Sequence, residues 1–70
     1  MASSRVLLDL IERSHDDFAA LTVARVNLAE ARHELPHDDG KCDVCTANVR
    51  YAERAAKKSK RALLEHLGLA

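Results

Sequence analysis

The sequence predicts an all-α fold, an antiparallel two-helix hairpin forming one domain over residues 1–70. Three observations predict it. From Ser3 to Leu35 there is neither glycine nor proline. The only proline, Pro36, and one of the two glycines, Gly40, fall together mid-chain. A second unbroken stretch then runs to Gly68. Proline and glycine punctuate helical runs, so the chain reads as helix, reversal, helix.

The first helix is expected over about residues 4–35. Ser3 or Ser4 would cap it, because a serine oxygen accepts an unpaired N–H of the first turn. At about 100° per residue, Asp9, Glu12, Asp16, Asn27, Glu30 and Glu34 share one face. Leu7, Leu10, Ile11, Phe18, Leu21, Leu28 and Leu35 share the opposite one. That apolar face covers about half the circumference, wider than the seam of a two-stranded coiled coil.

A loop follows over about residues 33–45. Pro36 turns Leu35 away from helical geometry, and Asp38-Asp39-Gly40 supplies turn chemistry. Asp43 is the expected N-cap of a second helix over about residues 44–67. Gly68 suits the left-handed position beyond its end, with Leu64 and Leu69 forming the accompanying contact. Val49, Ala52, Ala56, Leu63 and Leu67 share one face of this helix, and Arg50, Arg54, Lys57, Lys58 and Arg61 share the other.

Folding the chain about Gly40 sets Leu28 opposite Ala52, Leu21 opposite Ser59 and Phe18 opposite Ala62. Large residues then meet small ones, and the helices approach closely. The second helix is too thin to cover the wide apolar face of the first. Unmatched apolar surface of this kind seeks a partner. Leu7, Leu10, Ile11, Phe18 and Leu21 are the expected contacts, either in a homo-oligomer in which two hairpins form a four-helix bundle or in a larger protein assembly.

The reversal carries a metal-ligand pattern, His33-Glu-Leu-Pro-His37 followed by Cys42-Asp-Val-Cys45. Zinc takes four Cys or His ligands in a tetrahedron, and a hairpin brings His33, His37, Cys42 and Cys45 to one tip. Cys45 would lie near helix amides that favour the thiolate. Structural zinc in small fingers contributes roughly 10–16 kcal/mol near neutral pH, against roughly 3–5 kcal/mol from so small a core. Zn2+ is therefore the expected cofactor, in a structural role. Lys41-Cys42-Asp43-Val44-Cys45 also resembles the zinc hook of SMC-like DNA-repair ATPases. The hook's usual proline is replaced by Asp43, and the long coiled coils and the ATPase are absent. The resemblance implies a site shared between two chains, each tip giving its cysteine pair. The other readings of the segment are a dithiol redox pair, which usually accompanies a βαβ pattern not predicted here, and an ordinary polar loop.

Charge narrows the function. Eleven bases balance eleven acids, but unevenly. Residues 1–40 hold four arginines against eight acids, and residues 41–70 hold seven bases against three acids. The stripe Arg50, Arg54, Lys57, Lys58 and Arg61 can track phosphates in a salt-dependent way, so nucleic-acid binding is the alternative function. Phe18 and Tyr51 are the only aromatics, which leaves little capacity for base stacking. The expected function is a non-enzymatic interaction or assembly module. A hairpin offers no cleft for a small-molecule substrate, and a four-ligand zinc keeps no open position. No apolar run approaches the ~18 residues of a membrane span, and Val6–Ile11 lacks the features of a signal peptide. A cytoplasmic location with reduced thiols is expected.

Overall fold

The computed structural model describes residues 2–69. It consists of α1, Ala2–His33, and α2, Asp39–His66, with no strand among the described residues. The two helices pack against each other as an antiparallel hairpin 55 × 17 × 13 Å in extent. No helix among the described residues is long and apolar enough to cross a membrane.

Burial follows an alternation of three and four residues, strict along α1 and flanked on α2 by the half-buried Thr46, Ala55, Ala62 and Leu64. On α1 the line is Leu7, Leu10, Ser14, Asp17, Leu21, Ala24, Leu28 and Ala31, with Leu21, Leu28 and Ala31 the most buried. On α2 it is Cys42, Cys45, Val49, Ala52, Ala56, Ser59 and Leu63. This is the spacing of a two-stranded coiled coil. The half-circumference apolar face expected of the first helix is therefore divided. A narrow seam faces α2, and the remainder lies outside it. Phe18, expected opposite Ala62, is 43% exposed, and Ile11, expected to face a partner, is 45% exposed.

The reversal lies earlier than Gly40. α2 starts at Asp39 instead of near residue 44, and its N-cap is Asp38 instead of Asp43. The reason is local hydrogen bonding. Asp38 Oδ1 accepts from the Lys41 amide at 3.1 Å, and the Asp38 carbonyl accepts from the Cys42 amide at 3.1 Å. Asp43 has the same capping chemistry but comes five residues later, inside the helix that Asp38 has already started. Lys41 Nζ also reaches back to both carboxylate oxygens of Glu34 at 2.7 Å, closing the loop. That hydrogen bond, first among several influences, raises the lysine pKa above its ordinary value.

The earlier reversal moves the pairing. Ser59 was expected opposite Leu21, and it lies against Asp17, one helical turn nearer the N-terminus. Near the loop Cys42 lies against Ala31. Leu35 falls beyond α1 and is 92% exposed. Ser3 and Ser4 lie within the first turn of α1 instead of capping it, and the side chain of Ser3 is outside the described part of the structure.

The end of α2 matches the sequence reading. Gly68 adopts φ 73°, its amide donates to the Glu65 carbonyl at 3.1 Å, and the Leu69 amide donates to the Leu64 carbonyl at 2.8 Å. The two bonds form the Schellman pattern that glycine permits.

The core is thin. The hydrophobic cluster consists of Leu21, Leu28, Val49, Ala52 and Ala56, with Ala24 and Cys45 packed at its edge. No large side chain among the described residues is completely buried.

Candidate metal-ligating tip and helix surfaces

The first turns of α2 place both cysteines on the seam side, because three residues advance a helix by about 300°. Cys42 is half-buried, and its thiol donates to the Ala31 carbonyl at 3.5 Å. Cys45 is half-buried one turn further on and packs against the leucine–alanine cluster. Both are free thiols. His37, in the loop, brings Nε2 to 3.9 Å from Cys42 Sγ and to 2.9 Å from Asp39 Oδ1. His33 is exposed at the end of α1. It lies two residues past the buried Ala31, and two residues turn a helix by about 200°, so it points away from α2.

The four expected ligands are thus only partly assembled. His37 and Cys42 come together, Cys45 is held by the seam, and His33 faces outward. No group of three or more His, Cys, Asp or Glu side chains among the described residues is arranged to hold a metal ion. Burial and the nearby Asp39 carboxylate push the Cys42 thiol above its ordinary pKa. The thiol is therefore protonated at neutral pH. Folding favours that protonated form, so this thiol's own contribution to stability is present below its ordinary pKa and is lost as pH rises through the raised one. At the other end of the hairpin, His15 contacts Asp16 at 3.8 Å and His66 is exposed.

The expected partner residues separate into two groups. Leu21 is buried in the hairpin itself, at 4% exposure, and does not belong to an outer surface. Leu7 and Leu10 are half-buried on the seam line. Ile11 and Phe18 are exposed, together with Leu8, Val23 and Val26.

The basic stripe is also divided. Arg50, Arg54 and Lys57 line a groove of about 620 Å³ between the helices, and they are joined there by Arg25 and Lys60, which the stripe did not include. Lys58 and Arg54 border a second groove of about 510 Å³ on the opposite side of the seam. Arg61 pairs with Glu65 at 3.0 Å.

Asp17 is the residue that sequence reasoning missed. It occupies the seam, where Ser59, almost fully buried, donates a hydrogen bond to its carboxylate. The signal was present in the three–four alternation from Leu7 to Ala31, which counts Ser14 and Asp17 among the inward positions. An apolar-face plot passes over polar residues and hides it.

No protein-family model matches the chain, and no curated protein or solved structure is significantly similar to it.

Proposed function

We propose that this chain is a non-enzymatic assembly module, a helical hairpin that docks a protein partner on the outer face of α1. One observation carries the reading: Leu8, Ile11 and Phe18 remain exposed on α1 although the seam is already filled. Large apolar side chains clustered outside a completed core mark interaction surfaces. The thin core supports the same reading, since small domains commonly gain stability from a partner.

Ile11→Glu with Phe18→Glu tests it. Both side chains lie outside the seam, so the helical signal should persist. Each contributes roughly 1.5–3 kcal/mol when buried, and losing both should weaken assembly by about a hundredfold or more. The readout is particle size by light scattering, for the purified chain and for the chain in host extract. A wild type of monomer size in both settings rejects the reading.

Zinc at the tip is the second part of the proposal, supported by the donor types and by the approach of His37 to Cys42. A full set of four would draw Cys45 out of the seam and turn His33 inward, so loading would open the first turn of α2. Binding must also displace the Cys42 proton. Affinity should therefore rise with pH, by up to about tenfold per unit for each thiol proton released. A zinc titration from about pH 6 to about pH 8 checks this. A flat profile, or one unchanged in Cys42→Ser, removes the thiols from the ligand set.

A further inference from the structure

The larger groove has an unusual lining. Its floor is apolar, formed by Phe18, Leu21 and Ala56. Its walls are basic, with Arg25 on α1 and Arg50, Arg54, Lys57 and Lys60 on α2, against the single acid Glu53. None of these five bases makes an ion pair among the described residues. An occupant that satisfies both features must be apolar along one stripe and acidic beside it.

The chain contains such a segment. Between Leu8 and Phe18, α1 exposes Leu8, Ile11 and Phe18. Asp9, Glu12 and Asp16 flank them and are also exposed. Counting Asp17, four acids stand against Arg13 alone in this segment.

We propose that the groove is filled by the Leu8–Phe18 segment of α1 from a second copy of this chain. The inference rests on the assembly reading and names its partner. Phe18 belongs both to the groove floor and to the docking stripe. A contact of this kind is self-complementary and closes as a two-fold dimer, with each Phe18 beside its mate. The two α1 helices then cross antiparallel, and Ile11 of the second copy falls towards Arg25. Glu12 and Asp16 of the second copy lie among Arg50, Arg54 and Lys57. Two hairpins joined this way form a four-helix bundle. A nucleic acid would use the bases but leave the apolar floor unmatched.

Charge reversal on each side tests the pairing in the full-length chain. One variant carries Glu12→Arg and Asp16→Arg, the other Arg50→Glu and Arg54→Glu. All four residues are exposed, and circular dichroism checks that each variant remains helical. Sedimentation equilibrium should show a wild-type dimer that weakens as salt rises, and each variant alone should dimerise at least tenfold more weakly. An equal mixture of the two variants should restore the dimer, because both grooves then again face a segment of opposite charge. A wild type that is monomeric alone overturns the inference, while the extract measurement on Ile11→Glu with Phe18→Glu still decides the assembly reading. A dimer unaffected by both reversals, or unrestored in the mixture, overturns the groove as its site and leaves assembly standing. A monomer that retains a duplex oligonucleotide at low salt assigns the groove to phosphate and overturns the proposal.

Discussion

Leu28→Ala should cost the hairpin most or all of its stability. Among the described residues of α1 only two large aliphatic side chains are buried, Leu21 at 4% and Leu28 at 9% exposure. The residues that complete their cluster, Val49, Ala52 and Ala56, are small and cannot fill a void. A buried leucine cut to alanine costs about 2–5 kcal/mol, and the cost grows with the cavity left behind. A core of this size supplies roughly 3–5 kcal/mol in all. Urea unfolding followed by circular dichroism, at matched protein concentration, should show a collapsed or absent folded baseline. Val23→Ala is the control, since Val23 is exposed and its loss should fall within about 0.5 kcal/mol. If Leu28→Ala unfolds at the wild-type midpoint, the leucine–alanine seam does not hold the fold.

Asp17 and Ser59 should show the second large effect, and its sign depends on whether one or both are changed. Ser59 is buried and donates its hydroxyl to the Asp17 carboxylate across the seam. Asp17→Ala leaves that hydroxyl buried without an acceptor, a loss of about 1–3 kcal/mol. Ser59→Ala should cost less, because Asp17 is only half-buried and water can reach it. Asp17→Leu with Ser59→Ala removes both polar groups and restores the large-against-small packing found at Leu28. Replacing a satisfied polar pair with apolar residues is often neutral or stabilising, so the double variant should match or exceed the wild type. The four unfolding energies form a cycle, with an expected coupling of about 0.5–3 kcal/mol. A coupling near zero would mean that the pair contributes nothing across the seam. The pair also marks the alignment of the helices, as a buried polar residue does in a coiled coil. Without it, sliding by one turn strands neither of these two groups, and amide protection along α2 should become more uniform.

Features written in short-range chemistry were legible from the sequence. The uninterrupted runs on either side of Pro36 form helices, and residues 34–38 between them reverse the chain. Gly68 ends α2 by accepting a left-handed backbone that other residues resist. Each of these depends on neighbours within about four positions, which the order of residues specifies directly.

The tip was less legible, because its histidines and cysteines gain meaning only from where α2 begins. Asp38 and Asp43 both have N-cap chemistry, and the five-residue step from one to the other decides whether Cys42 lies in the helix at all. The structure starts α2 at Asp39, which sends both thiols into the seam beside Ala31 and the leucine cluster. The spacing of His33, His37, Cys42 and Cys45 could show that four ligands were close in sequence. It could not show that the last turn of α1 faces His33 outward.

By itself the sequence determined two helices, a reversal between them, and a first helix with more apolar surface than one partner covers. Only the tertiary structure decided which stripe of α1 became the core. Leu21 and Phe18 looked equivalent on a helical plot, yet Leu21 is buried and Phe18 exposed. The difference lies in α2. Its small residues Val49, Ala52, Ala56 and Ser59 recur at alternating intervals of three and four, and only a stripe of α1 with the same alternation can follow them along the whole hairpin. That match is a relation between two helices, so no local reading of either one contains it.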